Sequence, residues 1–245
     1  MKLRFLGLMS LSLVFFIKLQ GQTIKPDIVL EDDPLTHNMG ICSDGKYYYT
    51  INGGNQKDGL VNKYDTFGAF IGSYPFQLDM RSVYCNGKNG TVVAYCHDAS
   101  FYQLELEKGT MKKLDFKGLT GIQSSPGINF QKSLMYVLAD GGLKVFDFET
   151  GKKVNTGKVK CGANPKKGST AIAVYENYLF TVNSRWNKIF IYDNSLKLLK
   201  TVKYEKGGFG FSLSVTPKYL FIADDGNYGT GYWYGYSLKK VLNAK

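Results

Sequence analysis

Leu179–Asp193 reads LFTVNSRWNKIFIYD. It is a hydrophobic run closed by Asn183, a short polar turn, and an alternating run closed by an aromatic and an acid, Tyr192-Asp193. Leu, Phe, Thr, Val, Ile and Tyr in such runs suit a pleated, covered surface, so both are read as strands. Met135–Asp147, MYVLADGGLKVFD, repeats the pattern. Moving outward, the first run recurs as YYYTIN (Tyr47–Asn52), VAYCH (Val93–His97) and LFIAD (Leu220–Asp224). The polar ends fall at 52, 97, 140, 183 and 224, spaced by 45, 43, 43 and 41 residues. The second run ends at Tyr64-Asp65, Leu104-Glu105, Phe146-Asp147, Tyr192-Asp193 and Tyr236-Ser237, in steps of 40, 42, 46 and 44. Two landmarks sharing one period predict a fivefold internal repeat.

Turn chemistry separates the strands at Asp44-Gly45, Asn89-Gly90, Gly141-Gly142 and Asp225-Gly226. No window after the first 22 residues carries a helical period. A short strand precedes each hydrophobic run. Fourth strands are expected at Ala69–Tyr74, Met111–Phe116, Lys152–Val159 and Leu198–Tyr204. Four short strands per module of about 43 residues is the size of a propeller blade. The fifth module lacks a fourth strand, because eight residues remain after Ser237, and Asp27–Glu31 is a spare strand at the start. The expectation is therefore an all-β chain: one five-bladed β-propeller over 23–245, in which residues 27–31 complete the last blade and remove two open edges. The blades are placed at about 38–76, 80–117, 126–160, 170–205 and 209–240.

The segments Leu179–Asp193 and Met135–Phe148 resemble the five- and six-bladed propeller repeat families of NHL, YVTN and PQQ type. That resemblance covers nearly the whole chain after residue 22 and implies a fold; propellers host many unrelated activities. His37-Asn38-Met39-Gly40-Ile41, followed by Asp44-Gly45-Lys46, is similar to the start of blade 1 in the plant- and bacterial-type glutaminyl cyclases. That family has a Glu-Gly pair at the start of blade 2, where this chain has Arg81-Ser82.

Residues 1–22 are read as a signal peptide: Lys2 and Arg4, then an uncharged run of 13 residues from Phe5 to Ile17, then a polar stretch allowing cleavage near Gly21. The run is too short to span a bilayer, and no membrane insertion is expected. The compartment implied is secreted or periplasmic. The chain has a net charge of +11, and the leader holds Lys2, Arg4 and Lys18 with no acid, leaving +8. The only arginines are Arg4, Arg81 and Arg185. Nucleic-acid readers lean on arginine, so nucleic acid is not an expected partner. A lysine surface suits solubility, or weak attraction to anionic glycans.

In a propeller the turns between second and third strands share a face with the blade entrances. The repeat thus places Asn52, His97, Asp140, Asn183 and Asp224 at equivalent positions there, with His37, Arg81, Arg185 and Trp186 beside them. Such polar groups can orient a ligand, and Asn or Asp at a strand end can equally cap the next turn. Arg and Trp are common anchors of binding surfaces. They serve equally as an inter-blade ion pair or a cover for the core. Tyr232, Trp233, Tyr234 and Tyr236 are expected to pack between blades. No HExxH, GxSxG, CxxC or GxGxxG motif occurs in a fitting context. No metal or other cofactor is expected, although Asp224-Asp225-Gly226-Asn227 could hold calcium weakly. Of the four cysteines, Cys85 and Cys96 share a hairpin out of register, with Cys96 facing residue 83 if Asn89-Gly90 is the turn. Buried free thiols are expected for Cys42, Cys85, Cys96 and Cys161. Asn89-Gly90-Thr91 is a glycosylation sequon. The function expected is a secreted binding protein that presents a loop face to a protein or glycan, without catalysis. The alternatives are a propeller enzyme, of the glutaminyl cyclase or metal-dependent lactonase kind, and a repeat scaffold with no ligand. A lactonase needs inward ligands that Ser82, Gly127, Ala171 and Phe211 at the blade entrances do not supply.

Overall fold

A computed structural model of the chain describes residues 23–86, 91–114, 125–139, 142–159 and 171–244. The leader, Asn89, Asp140 and Cys161 lie outside the described residues. The strands run β1 (Thr23–Ile24) and β2 (Ile28–Asp32), then blade 1 as β3 (His37–Ser43), β4 (Tyr48–Gly53), β5 (Leu60–Tyr64) and β6 (Phe70–Pro75). Blade 2 is β7 (Met80–Asn86), β8 (Thr91–Cys96), β9 (Phe101–Glu105) and β10 (Thr110–Leu114). Blade 3 is β11 (Gly127–Asn129), β12 (Leu134–Ala139), β13 (Gly142–Asp147) and β14 (Lys153–Lys158). Blade 4 is β15 (Ile172–Tyr175), β16 (Tyr178–Asn183), β17 (Lys188–Asp193) and β18 (Leu198–Tyr204). Blade 5 is β19 (Ser214–Val215), β20 (Tyr219–Asp224) and β21 (Gly231–Ser237), and α1 (Leu238–Asn243) follows.

Each blade is an antiparallel meander, and the last is completed as expected: β2 pairs with β21 from Ile28 opposite Gly235 to Asp32 opposite Gly231. The ring is closed by five apolar clusters, one at each boundary between blades. Met39, Ile51 and Met80 belong to the boundary of blades 1 and 2, and Tyr95, Phe101 and Val137 to that of blades 2 and 3. Leu138, Val174 and Leu179 join blades 3 and 4, and Phe180, Ile189 and Leu220 join blades 4 and 5. Leu30, Ile41, Tyr64 and Trp233 join blade 5 to blade 1. This arrangement explains the sequence pattern. A second strand has a blade against each face, so β4 is buried at every residue, whereas the outer strands β6, β10 and β14 are mostly exposed. Close approach also dictates Gly53, where a Cβ would overlap the Met80 carbonyl of the next blade. In blades 1 and 4 the acid ending the third strand caps the turn into the fourth: Asp65 Oδ1 accepts the Phe67 and Ala69 amides at 2.8 and 2.9 Å, and Asp193 Oδ1 accepts those of Ser195 and Lys197 at 2.9 and 3.0 Å.

Five features differ from the sequence reading. β1 adds to β18 in parallel and gives blade 4 a fifth strand. The tail forms a helix, because Leu238 and Val241, three residues apart, bury one face against blades 4 and 5. Cys42 and Cys85 are not free thiols but form a disulfide between β3 and β7, with Cα atoms 5.7 Å apart. Their separation of 43 residues equals the repeat, so the two occupy one position in adjacent innermost strands. Cys96 is buried and free; it faces Met80 rather than residue 83, because Asn86 pairs with Thr91 and the register shifts again between Met80 and Ser82. Of the four aromatics in β21, Trp233 and Tyr236 are buried between blades, but Tyr232, near the start of the strand, is exposed.

A buried carboxylate lies at the closing seam. Asp32, at the end of β2, accepts from Trp233 Nε1 at 3.0 Å, Tyr64 Oη at 2.6 Å and Asn62 Nδ2 at 2.7 Å. Trp233 belongs to blade 5 and the other two donors to blade 1.

Candidate functional site: the loop face and the central channel

The first strands line a central channel of about 610 Å³. Its walls also include the first-to-second turns, from Ser43–Gly45 in blade 1 to Thr216–Pro217 in blade 5, so it opens on the face away from the predicted site. Tyr84, Phe130 and Tyr175 contribute to its wall, and among the described residues no histidine, lysine or arginine lines it.

At the loop face the blade entrances meet across the axis. Ser125, at the start of blade 3, is the node. Its hydroxyl lies 2.7 Å from the Arg81 carbonyl of blade 2 and 3.2 Å from the Phe211 carbonyl of blade 5, and its own carbonyl accepts the Ile172 amide of blade 4 at 3.3 Å. Bulges in β3 between Asn38 and Gly40, and in β7 between Met80 and Ser82, bend the two strands where they enter this node.

Around the node the predicted polar residues take distinct roles. His37 Nδ1 lies 2.8 Å from Asp225 Oδ2, and its ring stacks on Phe209 and meets the edge of Tyr228, with centroids 6.0 and 5.5 Å apart. The pair ties the start of blade 1 to the loop after β20. Arg81 Nη2 donates to Asp79 Oδ2 at 2.8 Å, and Asp79 Oδ1 accepts the Gly54 amide of blade 1 at 2.7 Å. Arg81 Nε is buried without a partner. Asn52 is buried and fully engaged: Nδ2 donates to the Pro34 and Asp58 carbonyls at 2.6 Å, and Oδ1 accepts the Leu60 amide at 2.7 Å. Asp224 accepts the Tyr234 hydroxyl at 3.1 Å, and Tyr234 is pushed up to about 12 by burial and by that carboxylate. Its neighbour Asp225 is held by His37. Among the described residues no three His, Cys, Asp or Glu side chains converge as metal ligands. His97 follows β8, is exposed, and donates its amide to the Asp79 carbonyl at 2.9 Å.

Asn183, Arg185 and Trp186 form a separate unit on blade 4. Asn183 is buried, and its backbone and side-chain oxygens both accept the Trp186 amide, at 3.3 and 3.1 Å. Asn187 completes the turn in the left-handed region at φ 49°. The turn holds Arg185 and Trp186 outward, and Trp186 is 59 % exposed.

Among the described residues the repeat brings the predicted ones to one face but not to one cluster. His37, Arg81 and His97 gather near the node, and Asn183, Arg185 and Trp186 stand apart on blade 4. Sequence reasoning missed both partners: Asp225, because its pairing with His37 joins blade 5 to blade 1, and Asp79, which lies two residues before Arg81 at the entrance to blade 2. Ser125 was missed too; a lone serine in a loop carries no signal.

No protein-family description matches the chain. No curated protein matches it by sequence. Among solved structures it is similar to BamB from Moraxella catarrhalis, at 12 % identity with a TM-score of 0.40 over 81 % of this chain and 59 % of that one. The chain thus spans less than two thirds of that protein. Among the described residues no helix is long and apolar enough to cross a membrane. By its own five sheets, ringed about a channel and closed by β2, the chain is a five-bladed β-propeller.

Proposed function

We propose that the chain is an exported, non-catalytic binding protein, secreted or periplasmic once residues 1–22 are removed, and that its loop face takes a protein or a glycan. One observation carries this reading. On the loop face His37 is tied to Asp225 and Arg81 to Asp79, whereas Arg185 and Trp186 are held out into solvent on a capped turn. Side chains of the second kind anchor binding surfaces.

The test is a binding screen of the mature chain against a glycan panel and extracellular proteins, with Arg185→Ala and His97→Ala as loop-face variants. Binding weakened by either variant supports the reading. Turnover of N-terminal glutaminyl peptides or of lactones by the purified chain overturns it.

A further inference from the structure

We infer that the blade 4 corner of the loop face is a site for an acidic polysaccharide, with Trp186 stacking on a sugar ring and Arg185, Lys188 and Lys203 holding its carboxylate or sulfate groups. The inference rests on the loop-face reading and names its ligand class.

Lys188 opens β17 directly after the capped turn, and its Nζ lies 5.7 Å from the centre of the Trp186 ring. On the next strand its cross-strand partner is Lys203. Directly opposed residues have Cβ atoms about 5 Å apart, and like charges there destabilise a sheet. Among the described residues no ion pair reaches Arg185, Lys188 or Lys203; the adjacent acid, Glu205, is paired with Lys25 at 3.9 Å. Three cations without an ion pair among the described residues therefore lie on this turn and the strands beside it, one of them next to the projecting indole. A polyanion relieves the repulsion, and the flat ring face beside the charges suits a pyranose carrying an acidic group. A single-stranded nucleic acid calls for a basic groove with several aromatic platforms in succession, and this turn offers one.

The two tryptophans make the site its own reporter. Trp233 is fully buried at 0 % exposure and Trp186 is 59 % exposed, so quenching by acrylamide reads Trp186. The mature chain is titrated with polygalacturonate, dextran sulfate, neutral dextran and poly-dT. The expected result is an emission change and protection from acrylamide with one or both acidic polysaccharides; which of them acts distinguishes carboxylate from sulfate. Affinity falls on the order of tenfold between roughly 50 and 200 mM salt, as release of counterions by a few cations requires. Lys188→Gln with Lys203→Gln lowers affinity about tenfold while the unfolding midpoint holds or rises, because the repulsion is removed. An equal response to neutral dextran, equal binding by the double variant, or poly-dT binding as tightly as the polysaccharides overturns the inference. If the acidic polymers fail but a protein ligand is lost on Arg185→Ala, the ligand class is wrong and the loop-face reading stands. If no ligand responds to any loop-face variant, both fall.

Discussion

Asp32→Ala tests how the ring is held shut. The carboxylate is 2 % exposed and accepts three hydrogen bonds: from Trp233 in blade 5 and from Asn62 and Tyr64 in blade 1. Hydrogen bonds to a charged group contribute about 1.5–3 kcal/mol each, without simple addition. Removing the acceptor leaves three buried donors, and breaking such a buried charged cluster costs about 3–5 kcal/mol. Against a whole-domain stability of about 5–15 kcal/mol, that is a large share. At about 2–4 °C per kcal/mol for a chain of this size, the melting temperature falls by roughly 6–20 °C. Urea unfolding followed by the emission of Trp233, which sits at the seam, measures the loss. Asp32→Asn, which keeps an acceptor oxygen but loses the charge, should fall between wild type and alanine. As a control, Asp27→Ala removes the exposed pair with Lys240 and should cost about 1 kcal/mol or less. A loss below about 1 kcal/mol for Asp32→Ala refutes the reasoning, since donors left dry by the change cannot be that cheap.

Reducing the Cys42–Cys85 disulfide, or replacing both cysteines with serine, should lower stability by about 4 kcal/mol for a closed loop of 43 residues, read from denaturant midpoints with and without reductant. Under native conditions Cys96 should resist thiol reagents, because burial, with Asp98 and Asp79 nearby, pushes its thiol up. Acid should loosen the outer turns. Asp193 is held low by the Ser195 hydroxyl and amides of its turn, and Asp147 by the Thr150 hydroxyl and amide. Groups with depressed folded values stabilise above their unfolded value of 3.8, and that contribution is lost as pH falls through the folded value, so melting temperatures should drop below about pH 4. Gly53→Ala should destabilise by several kcal/mol, because its Cβ meets the Met80 backbone of a neighbouring blade rather than a side chain that can turn aside; thermal unfolding reads this.

The period exposed the fold because each blade must bury two faces of its second strand, which writes an uninterrupted apolar run at each repeat. The closing strand was legible by subtraction: blade 5 ran short and the start of the chain had a strand to spare. The helix was not, since Leu238 and Val241 make too short a pattern to stand out from a strand. The disulfide was legible in hindsight, as a separation equal to the period places Cys42 and Cys85 side by side around the channel. Predicted register within one hairpin drew attention away from this neighbour across the blade boundary. At the candidate site, sequence reasoning could place polar residues at repeat positions, but it could not tell a spent side chain from a free one. Asn52 and Asn183 look alike in the repeat. The first is locked among three backbone groups, whereas the second holds a turn that pushes Trp186 into solvent. Asp32 was overlooked because it falls one residue past the expected end of the closing strand.

Amide hydrogen exchange across Ile28–Asp32 tests the closed ring most directly. If β2 completes blade 5, its hydrogen-bonded amides open only with the whole domain, and their protection matches that of β20 and β21. Exchange of that segment at the rate of an unstructured chain, while the strands of blade 5 remain protected, contradicts the account.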